Sequence, residues 1–408
     1  MKQIPGGVTA PRTSSGLGVH CGVKSKKADK KDLTLILSDQ ECAAAAVYTM
    51  DRVKAAPLYV TMEHLEDGTA WGVAANSGNA NACCPMSHEY AEEMARLAAR
   101  ATGRAPADFV VASTGVIGQT LNIAAIRAGM PEAAAGLTAG PEGSDAAARA
   151  IMTTDTVKKE LALACSIGGR TVTLGAIAKG SGMIHPNMGT MLCFVTTDCA
   201  ITREMLSEAL HEVVPRTFNR VTVDGDTSTN DMCAVLANGM AGNPLIEWKD
   251  DGYTVFLKAL RQLCQELARA IAGDGEGASR LITCAVREAR SEESAERLAK
   301  AVVGSPLVKA AMFGADANWG RVLSSPLGYS KAPFRPEYVD ISFSSAVGAV
   351  AVCRGGMGLD FDEEAARSIL SQDEVVIDVH LHEGEHEATC WGCDLTYEYV
   401  KINGDYRT

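Results

Sequence analysis

A chain of 408 residues, 47% hydrophobic and 22% charged with a mean hydropathy of +0.02, has globular composition and ample length for a large core. Its net charge of −12 and pI of about 5.2 repel nucleic-acid phosphates and anionic lipid, which sets both aside as partners. No apolar stretch approaches the ~18 residues of a membrane span, and the opening "MKQIPGGVTAPRTSSG" has no apolar signal-peptide core, so the expectation is a cytoplasmic protein.

In chain order, the alternation of "DLTLILSD" (32–39) predicts a strand. A helix is predicted over 87–104, with Ser87 as N-cap, Ala91, Met94, Ala95 and Ala98 on one face, and Gly103 as terminator. "DFVVAS" (108–113) reads as a short buried strand leading into a turn that starts at Thr114. The stretch 139–150, "AGPEGSDAAARA", reads as the loosest segment of the chain. "LSEALHEVVPR", "YTVFLKALRQLCQELARAIAG" and "EEAARSILSQ" carry helical periodicity, and "EVVIDVHLH" (374–382) alternates as a strand. The closing "DLTYEYVKI" reads as strand-like. Strands and helices interleave throughout, which places the fold in the α/β (α+β) class.

The 13 cysteines are odd in number and irregularly spaced, and many sit in apolar runs such as "MLCFV" and "LITCAV". Buried free thiols in a reducing compartment fit this better than a disulfide framework. "CWGC" (390–393) has redox spacing but not the strand-to-helix context of a thioredoxin unit. His380, His382 and His386 suit a solvated strand end better than a zinc site. "NSGNANACC" (76–84) has the vocabulary of an anion-cradling loop and equally that of ordinary tight turns.

Near the midpoint, "KGSGMIHPNMGTMLCFVTTD" passes from a glycine-rich loop to an apolar run, with Thr190 at the junction. A threonine hydroxyl is a poor nucleophile until a base removes its proton, and no His-Asp pair flanks this one. Cutting the bond before Thr190 would give it a free α-amine with a pKa of roughly 7.7–8.0, a base on the same residue as the hydroxyl. Gly189, lacking a Cβ, permits a tightly turned scissile bond. A threonine in a glycine-rich turn is also an ordinary turn residue, so the residues alone leave both readings open.

"KGSGMIHPNMGTML" closely resembles the self-cleavage motif of the ornithine acetyltransferase family. The resemblance runs through "GGVTAP", "RVKAAP" (52–57), "NSGNANA" (76–82), "STGVIG" (113–118), "MTTDT" (152–156), "DGDTSTND" (224–231), "DGEGA" (274–278), "NWGR" (318–321) and the closing "YVKINGDYRT". Two departures are visible: Gly189 and Ala317 stand where the family usually has Ala and Pro.

The resemblance implies stacked β-sheets flanked by helices, of the self-cleaving N-terminal-nucleophile type, with a smaller C-terminal part. It implies cleavage between Gly189 and Thr190 into chains 1–189 and 190–408 that share one core, and an assembly of two such pairs. Thr190 matches the nucleophile, and Thr114 and Gly115 match the oxyanion-hole pair. Thr153 (or Thr154, one residue on), Lys179, Thr190, Glu276, Asn403 and Thr408 match the substrate-binding set. The implied reaction moves acetyl from N2-acetylornithine to glutamate through an acetyl-Thr190 ester, with acetyl-CoA a second potential donor and no metal or organic cofactor. For such a substrate, Lys179 suits the carboxylate, Glu276 the ammonium and Asn403 an amide. The rivals are an autoprocessed amidase or aminopeptidase that passes the acyl group to water, and a non-enzymatic binding protein in which "PNMGT" is only a turn.

Overall fold

The structure is a computed structural model that describes residues 1–23, 30–185 and 191–405; Gly189, Thr190 and Thr408 lie outside the described residues. One sheet holds β1 (Lys2–Ile4), β2 (Ser14–Val19), β3 (Leu33–Tyr48), β4 (Thr69–Asn79), β5 (Phe109–Val116), β6 (Lys159–Ile167), β7 (Arg170–Lys179), β8 (Leu192–Thr197) and β9 (Met232–Ala237). Its order is β1-β6-β7-β8-β9-β3-β4-β5, with β2 also on β3.

The long strand β3 shapes this sheet. Leu33–Leu37 pair with β4, and Ala43–Tyr48 pair with β9. Between them the register slips, and Asp39, Gln40 and Glu41 are exposed. The sheet therefore turns back on itself. Leu192 and Phe194 of β8 and Met232 of β9 share one core with Val73 of β4 and Val110 of β5, strands on opposite sides of β3 in the sheet order. Every residue of β8 and β9 is buried, the pattern of strands covered on both faces.

Helices close the outer faces. They are α1 (Ala56–His64), α2 (Ser87–Thr102), α3 (Ile123–Ala135), α5 (Arg203–Val213) and α6 (Asp251–Gly273), while α4 (Pro141–Ile151) packs Ala147, Ala148 and Ile151 into the core shared with β4, β5, β8 and β9. In α6, Asp250 caps the first turn by accepting from the Tyr253 N–H at 2.7 Å. Its Phe256, Leu260, Leu263, Leu267 and Ile271 form one buried stripe. That stripe and α5 pack on β6–β9, while α2 and α3 pack on β4 and β5. The layers run helix, sheet, sheet, helix.

A smaller C-terminal part follows. It holds β10 (Leu281–Ala289), β11 (Asp340–Ser345), β12 (Gly348–Arg354), β13 (Met357–Gly358), β14 (Glu374–His380) and β15 (His386–Cys393), ordered β13-β12-β11-β14-β10-β15. Helices α7 (Glu292–Gly304), α8 (Pro306–Phe313), α9 (Trp319–Val322) and α10 (Glu363–Leu370) complete it, and α11 (Tyr397–Asp405) ends the described chain. The expectation of stacked sheets flanked by helices with a smaller C-terminal part is borne out.

Four local expectations are corrected. Residues 139–150 are not loose: α4 buries Ala146, Ala147, Ala150 and Ile151. The closing segment is helical from Tyr397, not strand-like. Strand β5 continues through Thr114 to Val116, so no turn starts at Thr114. Met86, with φ of 60°, holds the N-cap position of α2, and Ser87 is its first residue. Gly103 does end α2, with φ of 70°.

All 13 cysteines are free and ten are buried, as expected. Cys390 and Cys393, three apart on β15, point to opposite faces and join different cores, so they form no redox pair. His380 and His382 stand with their rings 6.0 Å apart beside Glu288. No helix among the described residues is long and apolar enough to cross a membrane.

Candidate active site

The last residues of β5 are held rigidly. Ser113 donates to Asn76 Oδ1 at 2.6 Å, and Asn76 donates onward to the Asn79 carbonyl at 3.0 Å. From β9's approach, Asn230 donates to the carbonyls of Ala80 and Ser113 at 2.7 and 2.8 Å. The Asn-rich stretch 76–84 thus works as a brace for β5 through its side chains. Gly115 has φ of +132°, and a Cβ there would stand 2.4 Å from the Gly78 carbonyl carbon. Only glycine satisfies both conditions. The result presents the Thr114 hydroxyl and the Gly115 backbone side by side, with Thr114 only 6% exposed.

Lys179, at the end of β7, is 8% exposed and donates to Thr114 Oγ1 at 3.1 Å. Burial pulls its pKa below that of an ordinary lysine, while the charges of Asp155, Asp231 and Glu276 work in the opposite direction. Asp155 accepts from the backbone N–H groups of Thr153 at 3.0 Å and Gly180 at 2.8 Å, and from Lys159 Nζ at 2.8 Å. Burial opposes its ionisation, but the ammoniums of Lys159 and Lys179 hold its pKa at about 2. Lys159 also pairs with Asp274 at 2.6 Å. This buried charge network ties the Thr153 loop, the end of β7 and the start of the glycine-rich loop into one unit.

Across from Lys179 lies an acidic side. Glu276 follows α6, is 8% exposed, and accepts from Asn403 Nδ2 at 2.8 Å. A Cβ on Gly182 would stand 2.3 Å from the Glu276 carboxyl carbon, so the glycine makes room for the carboxylate. Asp224 accepts from the backbone of Met183 and Ile184 at 2.6 and 2.8 Å. Burial raises its pKa, partly offset by those N–H groups. The Tyr399 hydroxyl is likewise raised, first by burial and then by the charges of Asp224, Glu276 and Asp226.

These groups enclose a cavity of about 420 Å³. Thr114, Gly115, Thr153, Lys179, Glu276 and Asn403 all line it, and so does Thr154, the other register considered for Thr153. Gly189, Thr190 and Thr408 lie outside the described residues. The described chain resumes at Met191, whose carbonyl accepts from the Met232 N–H at 2.9 Å, and Leu192 pairs with Lys179 across the β7–β8 ladder.

Sequence reasoning assigned no role to Asp224, Asp226, Asn230 or Tyr399, which also line the cavity. A usable signal was present: "DGDTSTND" sets three carboxylates among turn residues just ahead of the apolar β9. Among the described residues no group of three His, Cys, Asp or Glu side chains is arranged to hold a metal ion. Chemically, the cavity offers a hydroxyl donor beside a buried ammonium on one side and a carboxylate-rich wall on the other.

Stacked sheets flanked by helices, with a polar cavity of this size and charge pattern, define an α/β protein with a site sized for a small charged molecule. Residues 16–408 match the ArgJ family. The arginine biosynthesis bifunctional protein ArgJ of Symbiobacterium thermophilum is 54% identical over the full length of both chains. That of Bacillus subtilis is 43% identical, covering 100% of this chain and 98% of its own. The crystal structure of the arginine biosynthesis bifunctional protein from Bacillus halodurans, 44% identical, aligns with a TM-score of 0.50 over 52% of this chain and 98% of that one. The chain belongs to the ArgJ family, and the resemblance drawn from its motifs is borne out.

Proposed function

We propose that the chain is an acetyltransferase of arginine biosynthesis, moving acetyl from N2-acetylornithine to glutamate through a Thr190 ester. The observation that carries this is the convergence of Thr114, Gly115, Thr153, Lys179, Glu276 and Asn403, drawn from five separate stretches of the chain, on one cavity.

The chemistry runs in two phases. The Thr190 hydroxyl first attacks the Gly189 carbonyl, and hydrolysis of the resulting ester leaves chains 1–189 and 190–408. The new α-amine of Thr190 then takes the proton from its own hydroxyl, which attacks the acetyl carbonyl. Lys179 donates to Thr114 Oγ1, so Thr114 keeps its own proton for the developing oxyanion, alongside the Gly115 N–H. This gives Lys179 a further task beside the substrate carboxylate. Ornithine leaves, and the amine of glutamate attacks the acetyl ester to release N-acetylglutamate. The wall of Glu276, Asp224 and Asp226 suits the substrate's side-chain ammonium, whose charge would ease the crowding of negative groups around Tyr399.

The relative from Bacillus halodurans supports the two-piece reading, because a chain covered to 98% accounts for only 52% of this one. Acetyl-CoA as a second donor, an assembly of two cleaved pairs and a cytoplasmic location complete the proposal. To test it, the purified protein is given N2-acetylornithine without glutamate and its mass is measured. The proposal expects an acetyl group on the 190–408 piece and its transfer to added glutamate. Steady release of free acetate would instead identify the amidase rival, and no acetylated species with no turnover would identify a binding protein.

A further inference from the structure

The β4–β5 ladder is irregular beside the two oxyanion donors. Ser77 pairs with Thr114 and Gly78 with Gly115, but the register then shifts, and Asn79 stands opposite both Thr114 and Val116. A bulge of this kind disrupts the ladder locally and bends the strand. Pairing resumes beyond it, where the Ala80 N–H donates to the Val116 carbonyl at 2.9 Å and the Gly118 N–H to the Ala82 carbonyl at 3.0 Å. Within the bulge, the ladder alone does not set the angle at which Thr114 and Gly115 face the cavity.

Asn230 spans this break. Its Nδ2 donates to the Ser113 carbonyl on β5 at 2.8 Å and to the Ala80 carbonyl, just past β4, at 2.7 Å. Both amide hydrogens are used, one on each side of the bulge. The Ser113 carbonyl belongs to the peptide unit that leads into Thr114. That unit is planar, so fixing its carbonyl fixes its N–H end as well. Asn230 is itself held in place. Thr229 Oγ1 donates to its Oδ1 at 2.5 Å, its own N–H donates to Ser228 Oγ at 3.2 Å, and the Thr229 carbonyl accepts from the Ala55 N–H at 2.9 Å. Asn230 is buried, yet it lines the catalytic cavity. It also lies beyond the proposed cut, whereas Ser113 and Ala80 lie before it, so it ties one piece to the other.

We infer that Asn230 is a positioning residue for the oxyanion pair: its carboxamide bridges the bulge and sets the direction in which the Thr114 hydroxyl and the Gly115 N–H point. This rests on the acetyl-transfer reading above. Asn230 touches neither the acetyl group nor the nucleophile in that reading; it acts through Thr114 and Gly115.

The test uses the whole protein with N2-acetylornithine and glutamate, each rate being divided by the cleaved fraction found by intact mass. Asn230→Ala should lower kcat roughly 10- to 100-fold with KM for N2-acetylornithine little changed. Asn230→Asp keeps the shape and still accepts from Thr229, but its carboxylate has no donor for the two carbonyls. It should lose at least as much and stands in if Asn230→Ala does not fold. Combined with Thr114→Ala, either change should cost clearly less than the product of the two single losses, because both act on the same donor. A residue that only supports the fold would lower the melting temperature and multiply in full with Thr114→Ala. The inference is overturned if both Asn230 variants turn over at the wild-type rate, if the loss falls on KM, or if the losses multiply in full. A wild-type protein that is cleaved but never acetylated would instead overturn the Thr190 ester itself, and the positioning role with it.

Discussion

Lys179 Nζ stands 3.1 Å from Thr114 Oγ1, and each side chain is less than one-tenth exposed. A hydroxyl that accepts from a buried ammonium has its own proton directed elsewhere. In the proposed mechanism that proton is donated to the developing oxyanion. Thr114→Ala should lower kcat by roughly 100- to 1,000-fold with little change in KM for N2-acetylornithine. Thr114→Ser should recover most of the loss. Unchanged kcat with a sharply raised KM would show a substrate contact instead.

Gly182 has a role that depends on its missing side chain. A Cβ would press on the Glu276 carboxylate at 2.3 Å. Gly182→Ala should displace Glu276 and raise KM about tenfold or more, the cost of a weakened charged hydrogen bond. Glu276→Gln should raise KM in the same direction. Steady-state kinetics on both variants checks this, and a Gly182→Ala enzyme with wild-type KM would show that Glu276 does not meet the substrate.

Asp155 links the fold to pH. Its pKa, 3.8 in ordinary settings, falls to about 2 because Lys159 and Lys179 outweigh its burial. A carboxyl lowered on folding stabilises the fold fully above its unfolded pKa and loses that stabilisation as pH falls through the folded value. Asp155→Asn should therefore destabilise the protein by about 3 kcal/mol near neutral pH. The difference between the two proteins should shrink as pH falls from about 4 towards 2. Thermal melts across that range measure it, and a pH-independent difference would mean that Asp155 acts only by packing.

The periodic parts of the fold were legible in the sequence, and the closely packed parts were not. Alternation in 374–382 became β14, with Val375, Ile377 and Val379 buried, and the apolar stripe of α6 appeared at helical spacing. Residues 139–150 misled because small residues serve two purposes. Gly143 lies so close to β2 that a Cβ would stand 2.5 Å from the Gly16 carbonyl oxygen. Glycine and serine there let α4 approach a strand, and in sequence they look like loop. In α11 no residue is buried, so its tyrosines and valine give no helical stripe and look like strand instead. The site was legible through its motifs, and "DGDTSTND" flagged Asp224 as a carboxylate in a turn, whereas Tyr399 reaches the cavity by long-range folding that no local pattern records.

Asn403 on α11 reaches Glu276 at 2.8 Å, which brings the described end of the chain to the cavity. Deleting Tyr406, Arg407 and Thr408 should leave cleavage at Gly189–Thr190 intact, since that step needs no bound substrate. Acetyl transfer should fall sharply through KM, because a site built around a polar partner loses affinity when that partner is removed. Normal cleavage with wild-type transfer kinetics would remove Thr408 from the substrate set and weaken the case for Asn403.

The central claim is that Thr190 becomes a chain end and then the nucleophile. Intact-mass measurement of the purified protein, beside Thr190→Ala and Thr190→Ser, tests it most directly. Two polypeptides are expected, residues 1–189 and 190–408, the second beginning "TMLCFV". Thr190→Ala should remain one inactive chain, and Thr190→Ser should still be cut. A fully active enzyme that shows the mass of a single uncut chain of 408 residues would contradict the account.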